Sequence, residues 1–190
     1  MNNEDFDIKI FSPVKKTVDS EPVVIIDEMK RQVILGNLQK AKALGKAIAD
    51  YFPEAAKKEE LWNMAKCCNI SVLNRNIKDQ AIILSVFSAE YFLNISMSDT
   101  ILSTSALTTL YDTLTSDMPE LYNELLSSTA FSFYYMNVDR KSADPDLIGE
   151  TFAMLCGDKN SQELKCYGKS VFNTSIEHYN ELMKEINFAQ

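Results

Sequence analysis

In residues 77–95, and in no other stretch of helical length, apolar side chains fall on almost every side. They are Ile77, Ala81, Ile82, Ile83, Leu84, Val86, Phe87, Ala89, Tyr91, Phe92, Leu93 and Ile95. At about 100° per residue, Asp79, Gln80, Glu90 and Asn94 share a sector of roughly 100°, which predicts a single narrow wet stripe. Ser85 and Ser88 lie on the far side, where a small hydroxyl can bond back to a helix carbonyl and let a neighbouring helix come close. A helix that is apolar nearly all round is either a core helix or a membrane span. Asp79, Gln80 and Glu90 interrupt the run well short of the ~18 apolar residues a span requires, so the pattern predicts the buried hub of a bundle.

The flanking segments follow the helical period. Met29, Val33, Ile34, Leu38, Ala41, Leu44, Ile48 and Phe52 predict one amphipathic helix from about residue 27 to 51, stopped by Pro53, with Arg31, Gln32, Gln39, Lys42 and Lys46 on its outer face. A shorter helix from about Pro53 or Lys57 to Cys68 turns Leu61, Trp62, Met64, Ala65 and Cys68 inward. Beyond the hub, Ser98-Asp99 opens a Ser/Thr-rich helix to about Leu114. Asp117 with Pro119 and Glu120 has the form of a capping box for a fifth helix ending in Phe131, Phe133, Tyr134, Tyr135 and Met136. Asp144-Pro145 starts a helix that Gly157 stops, and Ser161 starts the last, which runs to about Ile186.

Residues 1–26 differ in kind. Phe6, Ile8 and Ile10 alternate with Asp7 and Lys9 as in a strand, Pro13 breaks the pattern, and a charged linker follows. This predicts an extended N-terminal arm, with Phe6, Ile8 and Ile10 as the residues that would dock on a partner or on a second copy. Residues 23–26 fit equally the first turn of the next helix, with Ser20 as cap and Pro22 in the opening turn. The fold class is therefore all-α: a single domain over residues 27–190, about seven helices around the central apolar helix.

Composition narrows the function classes. The chain has 190 residues, nearly half of them apolar, with five Gly and five Pro, which fits one domain of long helices. Its first residues are acidic where a secretory signal is basic, and Cys67, Cys68, Cys156 and Cys166 lack any disulfide-framework spacing, so an intracellular, cytoplasmic chain with reduced thiols is expected. Lys and Arg number 12 against 11 Asp and Glu in residues 1–76, but 7 against 16 in residues 77–190. No basic residue lies between Lys78 and Arg140. Such a surface repels phosphate, which argues against nucleic acid and anionic membrane as partners.

Candidate chemistry is sparse. His178 is the sole histidine; with Glu181 three residues on it could act as an oriented acid-base group, although a border histidine bonded to a glutamate is the commoner arrangement. The cysteines lack zinc spacing, and Glu177, Glu181 and Glu185 repeat every four residues as a solvated face does, although such acids can also hold a cation. No phosphate loop or nucleophile elbow is present, and neither a metal nor a cofactor is called for. The aromatic run at Phe131, Phe133, Tyr134 and Tyr135 points in several directions, so part of it must meet a neighbour or wall a cavity. The first functional expectation is a non-enzymatic interaction or regulatory domain that binds a protein partner or self-associates through its arm. The second is a small-molecule binder using Phe131, Phe133, Tyr134, Tyr135 and Glu90. The third is an enzyme using His178 and Glu181, or a carboxylate-held metal.

Overall fold

The computed structural model describes residues 22–57, 59–97, 100–138 and 142–188. These form nine helices: α1 (Pro22–Ile34), α2 (Asn37–Lys57), α3 (Glu59–Cys67), α4 (Arg75–Ser96), α5 (Thr100–Asp117), α6 (Pro119–Ser127), α7 (Ala130–Tyr135), α8 (Pro145–Leu155) and α9 (Gln162–Ile186). Among the described residues the only β pairing is an isolated bridge between Val138 and Ala143.

The hub is α4. Asn74 caps it, its side chain accepting the Ile77 N–H at 2.9 Å, and Ile83, Leu84, Val86, Phe87, Ala89, Phe92 and Leu93 are almost completely buried. It is covered mainly by α9, and by α2, α5, α7 and α8. The hydroxyls of Ser85 and Ser88 donate to the carbonyls of Ala81 and Leu84, as the pattern predicts. On that side α9 fastens to the hub: Tyr179 donates to the Ser85 carbonyl at 3.0 Å in a fully buried contact. Two tight helix pairs complete the bundle, α2 on α5 and α8 on α9. The second pair is antiparallel, since Lys165 meets Glu150 and Lys169 meets Asp146.

Several boundaries follow the sequence signals. Asp144 caps α8 with Pro145 in its first turn, Gly157 ends it at φ 91°, and Ser161 caps α9 by accepting the Leu164 N–H. Four expectations need correction. The long helix from residue 27 is two helices, because Gly36 adopts φ 72°, a left-handed conformation that ends α1 and that glycine takes without steric cost. The second is Pro53, which does not stop α2: the helix runs on to Lys57, the packed face at Leu44, Ile48 and Phe52 outweighing one lost N–H bond. Asp117 is the last residue of α5 rather than a cap; its carboxylate takes the Ser116 hydroxyl at 2.6 Å, and Met118 stands at the N-cap of α6 without a side-chain cap bond. The fifth helix is divided at Ser128 and Thr129, where the Ser128 hydroxyl accepts the Ala130 N–H and draws the backbone out of the helical ladder.

The break at Gly36 has the largest consequence. Ala41, Leu44, Ile48 and Phe52 of α2 are buried as predicted, but Met29, Val33 and Ile34 of α1 are exposed, and Gln32, assigned by pattern to the outer face, is buried. Residues 22–26, assigned to the arm, open α1, as the alternative with Pro22 in the first turn expects. The rest of the arm lies outside the described residues.

At the α2–α5 contact, Gly45 lies so close to Ala106 that a Cβ would overlap the Ala106 carbonyl oxygen, which belongs to a helix backbone and cannot rotate away. Gly45→Ala is expected to destabilise the fold by about 2–3 kcal/mol despite the better helix propensity of alanine, as measured by urea denaturation. Unchanged or increased stability would show that α2 and α5 do not approach this closely.

Candidate functional site

The predicted wet stripe of α4 is not uniformly wet. Asn94 is exposed, Asp79 is half-buried and pairs with Arg75 one turn earlier, and Gln80 and Glu90 are half-buried. Glu90 sits where α4, α5 and α7 meet. One carboxylate oxygen accepts the hydroxyl of Tyr111 from α5 and the other that of Tyr135 from α7. One turn further along α4, Asn94 accepts the hydroxyl of buried Ser103 at 3.2 Å. Burial, and then the negative charge of Glu90, hold the Tyr111 hydroxyl well above the ordinary phenol range; burial and the bond to Glu90 do the same for Tyr135. Both phenols are therefore neutral donors, and each carboxylate oxygen accepts one of them. This contact fastens α5 and α7 to the hub.

The aromatic run divides between the two sides of α7. Tyr134 is completely buried, and Phe131, Tyr134 and Tyr135 surround Phe87 of the hub with ring centroids 5.6, 5.0 and 5.0 Å away. Phe133 and Met136 turn outward and, with Leu147 and Met154 of α8, line an open groove of about 490 Å³. Among its polar members, the Asn137 amide donates to Thr151 at 2.7 Å and to the Phe133 carbonyl. The structure thus separates the five candidate ligand residues. Glu90 and Tyr135 form one contact, Phe131 and Tyr134 belong to the core, and Phe133 alone lines the groove.

The remaining candidates stand apart. His178 is half-buried with its ring against Tyr51, centroids 4.2 Å apart, and Tyr51 in turn donates to Glu60 at 2.8 Å. Glu177, Glu181 and Glu185 are exposed. No group of three His, Cys, Asp or Glu able to hold a metal ion occurs among the described residues. All four cysteines are free: Cys67 and Cys166 are exposed, while burial pushes the Cys68 thiol up to about 11 and that of Cys156 up to about 12. Cys68 faces Ser170 of α9 at 3.7 Å. Among the described residues no helix is long and apolar enough to cross a membrane. The arm candidates Phe6, Ile8 and Ile10 lie outside the described residues.

The outer face of α1 is the feature that sequence pattern missed. Ile26, Met29 and Val33, spaced three and four residues apart, are 51%, 45% and 57% exposed, and Ile34 at the helix end is 84% exposed. The inner side of the helix carries a polar chain instead. Gln32 donates to Glu28 at 2.6 Å and accepts from Asn37 at 3.0 Å, and both Gln32 and Asn37 are buried. The available signal was Gly36, in the middle of an otherwise continuous apolar period. Comparison with family models, with curated proteins and with solved structures finds no match to this chain.

Glu90→Leu leaves two partly buried phenol hydroxyls without their acceptor and is expected to cost about 2–4 kcal/mol in urea denaturation at neutral pH. The same fastening has a pH signature. The folded-state pKa values of Tyr111 and Tyr135 lie above the unfolded value of ~10, so their contribution is complete below that pH and declines as pH rises above it. Wild-type stability should therefore fall in the alkaline range, and this decline should be shallower in Glu90→Leu; equal slopes would show that the contact does not form.

Proposed function

We propose that this chain is a non-enzymatic, cytoplasmic protein-interaction or regulatory domain that engages its partner through the outer face of α1. The observation that carries this reading is the stripe of Ile26, Met29 and Val33, three large apolar side chains turned to solvent on one helix face. Burying the exposed half of such side chains against a partner contributes about 1 kcal/mol each, and contiguous exposed apolar surface marks interaction sites. The two phenols bonded to the Glu90 carboxylate and the half-buried ring of His178 against Tyr51 favour a structural over a catalytic role for both. Free thiols at exposed Cys67 and Cys166 fit a reducing compartment. The acidic surface downstream of Lys78 favours a protein over a nucleic acid or an anionic membrane.

A photo-crosslinking residue placed at Val33 in cells is expected to give discrete adducts that Met29→Glu abolishes. At the exposed position Glu181 the same probe should give none. Because Met29 is already half exposed, Met29→Glu should change folding stability by no more than about 0.5 kcal/mol. Adducts that form equally at both positions, or that ignore Met29→Glu, would remove the basis of the proposal.

A second reading, a small-molecule binder, is favoured by the groove between α7 and α8, where Phe133, Met136, Leu147 and Met154 present apolar surface around the Asn137–Thr151 pair. An apolar compound that raises the melting temperature of the wild type but not of Leu147→Asp would support it. Stabilisation that is equal in both proteins would count against the groove.

A further inference from the structure

We propose that Cys68 and Cys166 are a peroxide-responsive thiol pair, in which Cys166 reacts first and Cys68 then closes a disulfide that ties the end of α3 to α9. This goes beyond the interaction reading above and does not depend on it.

The pair is assembled by the packing of α3 on α9. Cys68 is the first residue past α3 and is buried, with its sulfur 3.7 Å from the hydroxyl of Ser170. Ser170 follows Cys166 by four residues on α9, so the two project from one face of that helix. The Cys166 thiol is within hydrogen-bonding reach of the Cys68 thiol. Closing that contact to a bond asks for a small shift of one side chain, and Cys68 stands where the backbone can give it. Asn69 after it adopts φ 61°, and residues 70–74 are non-helical. Cys67, one residue earlier, stands about 100° further round the helix.

Exposure fixes the order of events. Cys166 is exposed at an open cleft of about 720 Å³ between α8 and α9, where Lys165 and Lys169 also stand. A hydroperoxide in solvent reaches it directly. Cys68 is covered, and burial pushes its thiol up to about 11, so it stays protonated and shielded until its neighbour has reacted. The Cys166 sulfur attacks the O–O bond of hydrogen peroxide and keeps one oxygen as a sulfenic acid; the other oxygen leaves as water with the thiol proton. The Cys68 sulfur then attacks the sulfenic sulfur. The S–S bond forms, the S–O bond breaks, and the hydroxyl leaves as a second water with the Cys68 proton. The two thiols together give up two electrons, which reduce one peroxide to two waters. The Ser170 hydroxyl, beside Cys68, can donate to its sulfur as that proton departs. Cys156, whose thiol burial pushes up to about 12 on the C-terminal end of α8, is the unreactive thiol of the same chain.

The reduced full chain, in dilute solution, is treated with one equivalent of hydrogen peroxide, alkylated and mapped by mass spectrometry without reduction. The expected result is loss of two of the four free thiols and a peptide pair joined through Cys68 and Cys166 of one chain. Cys67→Ser should crosslink as the wild type does, which separates Cys68 from its neighbour on the same peptide, and Cys166→Ser should abolish the bridge. Cys68→Ala should stop at the sulfenic acid, so that dimedone labels Cys166 about tenfold or more above the wild type. The bridge closes a loop of about 100 residues and restricts the unfolded chain, so the oxidised protein is expected to melt about 5–10 °C above the reduced one, reversibly with dithiothreitol. The wild-type map stands whether or not each variant folds. Four surviving thiols, a bridge through Cys67 or Cys156, linkage only between chains, or a linked form that melts below the reduced one would each overturn the proposal.

Discussion

The structure depends on the burial of α4. A helix whose apolar side chains point nearly all round has no face to give to water, so the rest of the chain must cover it. The solution is two tight helix pairs, α2 with α5 and α8 with α9, with the aromatic end of α7 closing the remaining side over Phe87. Each large side chain buried in this way contributes roughly 1.5–3 kcal/mol. Direction, which the hydrophobic effect lacks, comes from a few polar contacts at the helix crossings. Tyr179 finds the Ser85 carbonyl on one side of the hub, and Tyr111 and Tyr135 find the Glu90 carboxylate on another. Polar groups in these places are costly when unpaired, so they specify one arrangement among many that bury the same area.

The same economy explains why the candidate chemistry resolves into architecture. A carboxylate on the central helix of a bundle has the position of an active-site group, but both of its oxygens are taken by phenols that burial keeps neutral. The aromatic run that could have walled a cavity spends Phe131, Tyr134 and Tyr135 on Phe87 and leaves Phe133 at the surface. His178 serves as a flat surface for Tyr51. Among the described residues the large apolar side chains left at the surface include the outer stripe of α1 and the groove between α7 and α8.

Much of the fold was legible in the sequence, because it follows from local chemistry and short-range period. The hub, its Ser85 and Ser88 contacts, the caps at Asp144 and Ser161, the stop at Gly157 and the all-α class each depend on residues within a few positions of one another. The two missed breaks are instructive. Gly36 sits in an apolar period that continues on both sides of it, and Ser128-Thr129 are residues that a helix tolerates; neither decides by itself whether the chain bends.

Sequence alone therefore determined the all-α class and that the apolar side chains of residues 77–95 form the hub, since capping bonds, steric limits and an all-round apolar surface act within a single segment. Tertiary structure decided the rest. It turned Met29 and Val33 outward, because the break at Gly36 frees α1 from the register of α2 and the bonds of Gln32 with Glu28 and Asn37 choose its rotation. It also gave Glu90 its two partners, which come from helices 21 and 45 residues away along the chain. Periodicity says which face of a helix is polar, but what a polar side chain on that face meets depends on the helix laid across it.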